Sequence, residues 1–278
     1  FGSRQPLQPG TSAPPRTILA LPMERPLRVV CFDMDDTLWD LSHTYVRAHE
    51  AWLSFVRQVP GGMAIAEAYA DPYGWEETYV GIFRDFPGIE IDFSRVRKEA
   101  FRRACVRFGV SADDVVEPSY QRFMAERNRP ALFDDAVPVL KQLREMGLTV
   151  GAVTETDAVL EDIPDIEGLF DFKVVASAVG IGKSDERFYR TAVQRAAELQ
   201  KEPLLPEECV MVGDNYNKDV LVPHAVGMRS VWFDNPESYP RKVMGQLPPQ
   251  PPLVCMGRIA RLSEVVDVLR PRLPAASL

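Results

Sequence analysis

Only three histidines and four cysteines occur in 278 residues, and the four cysteines form no Cys-x-x-Cys pair. Cys31, Cys105, Cys209 and Cys255 are scattered, which excludes zinc-finger spacing and a dense disulfide framework. Cys31 and Cys209 fall in apolar runs, where a reduced, buried thiol is the expected state. His43 and His49 lie six apart and cannot share one helical face, and His224 is distant, so no histidine metal set is present. No apolar run approaches the ~18 residues that span a bilayer. The stretch at residues 17–21 is too short for a signal-peptide core and is followed by Pro22. There is no basic block either: 32 Lys+Arg stand against 40 Asp+Glu, a formal charge of -8. That balance is a poor match for nucleic acid or an anionic membrane surface, yet it allows a locally positive pocket for a small anion. With 46% apolar and 26% charged residues, the chain reads as a soluble globular protein of a reducing, cytoplasmic compartment, large enough for one big domain or two small ones.

Residues 1–26 are rich in Pro, Ser, Gln and Gly and read as a flexible leader. Arg28-Val-Val-Cys-Phe32 is a β-branched apolar run that ends abruptly at Asp33-Met-Asp-Asp-Thr37, the pattern of a buried strand presenting acids at its carboxyl end. Between residues 42 and 59, Tyr45, Ala48, Trp52, Phe55 and Val56 recur at helical spacing. The aromatic members of that set are expected to be core. Two more helices are expected at 93–108 and 112–127, joined to the first through Gly- and Pro-containing turns. No strand signal interrupts this stretch, so residues 41–129 read as a helical insert. After Pro130, helices alternate with apolar strands expected at 148–153, 173–176, 209–212, 229–233 and 251–255, the last followed by a helix at 262–269. This alternation predicts an α/β fold: a doubly wound parallel sheet at 27–40 and 130–278, interrupted by the insert.

Four places on this frame can carry chemistry, and each closes an apolar strand. Ligands of open α/β sheets collect outside the carboxyl ends of the strands, so residues far apart in sequence can meet there. Asp33 and Asp35, two apart after the first strand, can face one point; alone, the pentapeptide reads equally well as a solvated acidic turn. Thr154 closes the second strand, where a lone Thr is usually structural. Lys183 lies in Val179-Gly-Ile-Gly-Lys-Ser-Asp-Glu-Arg187. Asp214 and Asp219 lie in Gly213-Asp-Asn-Tyr-Asn-Lys-Asp219, which is otherwise an acidic loop capping a helix. In combination and in this order the four are a strong signal.

The set resembles the haloacid dehalogenase superfamily, in its phosphatase branch with a helical cap after the first motif, and the resemblance runs from Arg28 to the C-terminus. It implies a Rossmann-like core and Mg²⁺-dependent hydrolysis of small phosphate monoesters through a phospho-aspartate. It makes Asp33 the nucleophile, Asp35 the general acid/base, and Thr154 and Lys183 the phosphate-binding hydroxyl and ammonium. It places the metal on Asp33, Asp214 and the backbone carbonyl of Asp35, with Asp219 supporting the metal shell. The partner it implies is a small phosphorylated metabolite. Asp35 favours phosphate over halide chemistry, because an alkoxide leaving group needs a proton and a halide does not. Two positions depart from the family pattern. Glu155 follows Thr154 where relatives often carry Asn, and is expected to point away or pair with a cation; Ser184 follows Lys183 where Pro is common. Cap residues are expected to set specificity, with His43, Tyr45 and Arg47 nearest Asp33 and Arg47 suited to a second anionic group. A phosphotransferase or mutase, a non-catalytic phosphate-binding protein and a signalling receiver domain are the competing readings. The insert and the Asp33–Asp35 pair argue against the receiver.

Overall fold

The computed structural model describes residues 25–238 and 253–274. Of the leader expected at 1–26, residues 1–24 lie outside them, and so does the proline-rich stretch at 247–252, whose composition reads as a turn. Six strands form one parallel sheet in the order β3-β2-β1-β4-β5-β6. They are β1 (Val29–Phe32), β2 (Thr149–Thr154), β3 (Phe172–Val175), β4 (Cys209–Gly213), β5 (Arg229–Phe233) and β6 (Gly257–Ile259). β1 lies at the centre, with Phe32 beside Ala152 of β2 and Val212 of β4. The chain runs outward from β1 first through β2 and β3, and later through β4, β5 and β6. The crevice at the carboxyl end of β1 is therefore the switch point where such sheets hold ligands.

The strand sequences fit burial on both faces. Alternate residues of β1 point to opposite sides of the sheet. Val30 and Phe32 join one core with Leu140 and Leu143 of α6 (Ala136–Glu145) and with Val265 and Leu269 of α10 (Glu264–Leu269). Val29 and Cys31 join a second core with Phe188, Tyr189 and Ala192 of α8 (Glu186–Gln200). The shorter helices α7 (Ala176–Val179) and α9 (Val222–Ala225) complete the crossovers, α9 being entered through a π-helical turn at Tyr216–Leu221.

Five helices follow β1 and build a third core of their own. They are α1 (Leu41–Val56), α2 (Gly62–Ala68), α3 (Glu76–Asp85), α4 (Phe93–Arg107) and α5 (Ala112–Arg127). Its centre is aromatic: Trp52 stacks on Phe101 at 4.8 Å and Tyr69 on Trp75 at 4.1 Å between ring centroids. Trp52 is buried there and Phe55 packs against it, as their spacing suggests.

The structure corrects two element assignments. Helices α2 and α3 occupy part of the region expected as turns between the first and second long helices. Each is ten residues or shorter, and α2 is introduced by Gly61 in the left-handed conformation (φ 79°), so the glycines punctuate helices rather than replace them. The last strand lies at Gly257–Ile259, and residues 253–255, the described part of the run expected at 251–255, are not strand. Pairing with β5 begins only where the Met256 N–H donates to the Ser230 carbonyl at 2.8 Å.

Candidate active site

The backbone of β1 ends with the Asp33 N–H donating to the Val212 carbonyl at 2.9 Å. This locks Asp33 beside the end of β4, where Gly213 leads into Asp214. After Asp33 the chain turns sharply. The Thr37 and Leu38 N–H groups both donate to the Met34 carbonyl, and Asp36 sits in the left-handed region at φ 58°. The turn brings the Thr37 hydroxyl to within 3.1 Å of the Asp214 N–H, which donates to it. Trp232 Nε1 donates to the Asp214 carbonyl at 2.9 Å, so the Asp214 backbone is held from both sides.

Asp219 is carried in by the π-helical turn and is fully buried. Its Oδ1 accepts from Lys183 Nζ at 2.7 Å and from the Tyr189 hydroxyl at 3.3 Å; its Oδ2 accepts from the Asn215 N–H at 3.1 Å. Gly213 has to be glycine here, because a Cβ would lie 2.3 Å from the Asp219 carboxylate. Lys183 also reaches Asp33 Oδ1 at 2.6 Å. Burial opposes the Lys183 charge, but the carboxylates of Asp219 and Asp33 outweigh it and raise its pKa, so the ammonium persists. Asp33, Asp214 and Asp219 each present an oxygen within 4.8 Å of the others. Burial, then the charges of Asp33, Asp219 and Asp36, push the Asp214 carboxyl well above its usual range. Burial likewise pushes Asp219 up to about 6, against the pull of Lys183. Crowded hard oxygens that resist ionising together are a donor set suited to a divalent cation such as Mg²⁺. Both Asp219 oxygens already accept hydrogen bonds, which suits it to support better than to direct ligation.

Thr154, the last residue of β2, lines the same cavity and accepts at Oγ1 from the Thr156 N–H at 3.1 Å. Glu155 also lines it, but its charge is answered: Oε2 pairs with Lys218 Nζ at 2.6 Å and Oε1 accepts from the Lys183 N–H at 2.6 Å. The carboxylate at this departure from the family pattern thus braces the lysine loop.

Asp35 faces the helices. Its carboxylate accepts from Trp39 Nε1 at 2.7 Å and from Arg127 Nη2, which meets Oδ1 at 2.8 Å and Oδ2 at 2.7 Å. Arg127 closes α5 and is 1% exposed. It also donates from Nε to Asp157 Oδ1 at 2.8 Å and from Nη2 to the Thr156 hydroxyl at 2.8 Å. Arg97 of α4 donates to the other Asp157 oxygen, from Nη2 at 2.8 Å and Nε at 3.1 Å. Although burial works the other way, Arg97 and Arg127 hold the Asp157 carboxyl far below its usual range.

These groups line one cavity of about 530 Å³. It brings together Asp33, Asp35, Thr154, Lys183, Asp214 and Asp219, and of the three helix candidates only Tyr45 lines it. His43 is exposed, and Arg47 is turned aside to donate to the Arg129 carbonyl. Arg97, Arg127, Asp157, Tyr79 and Phe93 are cavity residues that the motifs did not indicate. Helical spacing does carry a signal for the two arginines. Arg97 recurs with Ala100, Phe101 and Ala104 on the buried face of α4, and Arg127 with Tyr120, Phe123 and Met124 on that of α5. An arginine on an apolar face is seldom buried without a partner.

Comparison with known proteins adds what geometry alone does not. A family model described as haloacid dehalogenase-like hydrolase matches residues 27–227. A phosphoserine phosphatase of Thermus thermophilus is 31% identical over 54% of this chain and 62% of its own length, so the chain spans under two thirds of that relative. A glyceraldehyde 3-phosphate phosphatase of Methanopyrus kandleri is 27% identical over 74% of this chain and 83% of its own. Among solved structures, a 2-haloacid dehalogenase from Pseudomonas syringae superposes with a TM-score of 0.71 at 24% identity, covering 88% of this chain and 99% of that one. That likeness concerns the fold.

Proposed function

The chain belongs to the haloacid dehalogenase-like hydrolase family, and we propose that within it the chain is a Mg²⁺-dependent phosphatase of small phosphate monoesters that works through a phospho-aspartate on Asp33. The observation that carries this reading is the meeting of Asp33, Asp214, Asp219 and Lys183 at the carboxyl edge of β1 and β4. The relatives' names point to the same substrate class, since phosphoserine and glyceraldehyde 3-phosphate are both phosphate esters of small alcohols. The dehalogenase likeness is one of fold, and Asp35 would have no task in expelling a halide.

Asp33 and Asp214, with the Asp35 carbonyl, would hold the metal, and Asp219 would support them. When bound, the metal offsets the negative charge that otherwise keeps a phosphate dianion from a carboxylate. Lys183 Nζ, already 2.6 Å from Asp33, neutralises the same approach from the protein side, and the Thr154 hydroxyl donates to a phosphoryl oxygen. Asp33 attacks phosphorus, the bond to the leaving oxygen breaks, and Asp35 gives that oxygen its proton. Asp35 then takes a proton from the water that attacks the acyl phosphate, releasing inorganic phosphate and restoring Asp33. Helices α1–α5, within residues 41–129, act in this reading as a cap that excludes bulk water and shapes the leaving-group side.

Purified protein should release phosphate from an activated aryl phosphate with Mg²⁺, lose that activity in EDTA and regain it on adding excess Mg²⁺. Asp33→Asn should abolish turnover while circular dichroism remains that of the wild type. Full turnover by Asp33→Asn would remove the nucleophile assignment.

A further inference from the structure

Asp33, Thr154 and Asp214 stand at or just past the ends of β1, β2 and β4, so the sheet itself fixes them. Lys183 has no such support, because it lies in the loop between α7 and α8. A side chain on a loop is held less precisely than one on a strand, and the four-carbon stem of a lysine adds freedom of its own. Even so, Nζ sits 2.6 Å from Asp33 Oδ1 and 2.7 Å from Asp219 Oδ1.

A side chain rooted in the sheet ties down the Lys183 backbone. The Lys183 N–H donates to Glu155 Oε1 at 2.6 Å, and Glu155 directly follows Thr154, the last residue of β2. The other Glu155 oxygen pairs with Lys218 Nζ at 2.6 Å. Lys218 directly precedes Asp219, which accepts from Lys183 Nζ. The contacts close a ring: from Glu155 to the Lys183 backbone, along that side chain to Asp219, and back through Lys218 to Glu155. The lysine is therefore gripped at both ends of its stem. Gly182 is fitted to the same bond. A Cβ there would lie 2.7 Å from Glu155 Oε1 and 3.3 Å from Ile91 Cγ2, so a bare backbone is what lets the carboxylate reach the Lys183 N–H.

We propose that Glu155 is a positioning residue: its bond to the Lys183 N–H sets where the ammonium meets the phosphoryl group, and Gly182 is glycine to admit that bond. The hydrogen bond carries the effect, since the Glu155 charge is answered by Lys218. The inference rests on the phosphatase reading above and concerns the aim of its cation.

The test measures kcat and KM for 4-nitrophenyl phosphate with Mg²⁺ in the wild type, Glu155→Ala, Glu155→Gln, Gly182→Ala and the Glu155→Ala/Gly182→Ala double variant. Glu155→Ala should lower kcat by about 10-fold or more, since a misplacement of about 1 Å can cost about 10²-fold, and KM should change less. Glu155→Gln keeps an oxygen for the Lys183 N–H and gives up only the charge, so it should restore most of the lost kcat. Gly182 lies outside the left-handed region, so alanine strains no backbone there. It should push the flexible end of Glu155 aside and reproduce the loss seen in Glu155→Ala. The double variant should be no slower than either single one, because both break the same bond. In the metal-free protein, exchange of the Lys183 amide proton should quicken in Glu155→Ala and much less in Glu155→Gln. Wild-type kcat or unchanged amide exchange in Glu155→Ala, equal losses in Ala and Gln, or losses that add in the double variant would overturn the positioning role. Hydrolysis by the wild type would still leave the phosphatase reading standing. A change confined to KM would overturn it as well, and assign Glu155 to charge balance alone. If Glu155→Ala fails to fold, Gly182→Ala against Glu155→Gln decides. No hydrolysis by the wild type with Mg²⁺ present would take down both.

Discussion

Single residues at the end of β1 and β4 set the charge economy of the site, and Asp214 shows it most clearly. Burial and three neighbouring acids hold its carboxyl well above the ordinary 3.8. The folded protein therefore favours the protonated form, and its stability falls as pH rises from about the ordinary value through the folded one. An amide resembles that protonated form. Asp214→Asn is expected to raise the melting temperature of the metal-free protein at neutral pH, while abolishing activity and removing the stabilisation that added Mg²⁺ gives the wild type. Thermal denaturation with and without Mg²⁺ checks this, and a lower metal-free melting temperature in the variant would contradict it. The meeting of Asp33, Asp35, Thr154, Asp214 and Asp219 in one cavity was legible in the sequence because each closes an apolar strand or follows one within a short motif, whereas Lys183, beyond α7, was marked only by its glycine-containing loop. Asp157 was not, because nothing local distinguishes an acid three residues past a strand; its meaning comes from Arg97 and Arg127, sixty and thirty residues away. Arg47 failed as a cavity residue for a similar reason. Its place on α1 was readable, but its attachment to the Arg129 carbonyl depends on where the chain returns from α5.

At the level of elements, the strongly periodic segments were readable and the short ones were not. α4 and α5 lie within a residue of expectation and β5 coincides with it, since long amphipathic helices and β-branched runs declare their period. The helices α2 and α3 carry too few turns to do so, and β6 owes its position to pairing with β5 instead of to its own three residues. The helical core holds a further element-scale consequence in His49 of α1. Its ring lies among Trp52 at 5.4 Å and Trp75 at 6.3 Å, and Nε2 donates to the Tyr69 carbonyl at 2.9 Å, tying α1 to the end of α2. Burial lowers its pKa below the ordinary 6.5, only partly countered by the Tyr69 bond, Glu50 and Asp71, with Arg97 adding to the fall. The folded state therefore disfavours the imidazolium. The share of stability that depends on His49 is complete above pH 6.5 and declines as pH falls below it, levelling off once the folded value is passed. In urea denaturation at pH 7.5 and 5.5, His49→Gln should therefore fare better at pH 5.5, relative to its own value at pH 7.5, than the wild type does. An unchanged pH slope in the variant would assign the acid sensitivity to other groups.

Over the whole molecule, the chain builds one core inside helices α1–α5 and two on the faces of the sheet, and polar contacts join the helical layer to the β2 loop. Arg97 and Arg127 grip Asp157 from the helices, Arg127 continues to Asp35, and Asn128 donates to Asp162 at 3.0 Å. Among the described residues no helix is long and apolar enough to cross a membrane. Hydrophobic packing within each layer is largely independent of the other, whereas the ion-paired junction is shared. Removing one partner of a buried ion pair costs about 3–5 kcal/mol, because the remaining charge stays buried. In Asp157→Ala, Arg97, whose side chain is only 8% exposed, would be left in that state, and Arg127, at 1%, would keep only Asp35 as an acidic partner. Separation of the layers lets both guanidiniums reach water without unfolding either core. The expected outcome is therefore not a uniform loss of stability but a loss of cooperativity between layers. The tryptophans make this measurable, since Trp52 and Trp75 belong to the helical core and Trp39 to a sheet core. In urea, a version of the protein retaining Trp52 and Trp75 and one retaining Trp39 should report one coincident transition in the wild-type background and two separate ones with Asp157→Ala. Limited proteolysis of the same variant should show faster cleavage between residues 128 and 132, where α5 returns to the sheet. Coincident transitions and unchanged cleavage in Asp157→Ala would mean that packing, not the arginine junction, holds the layers together.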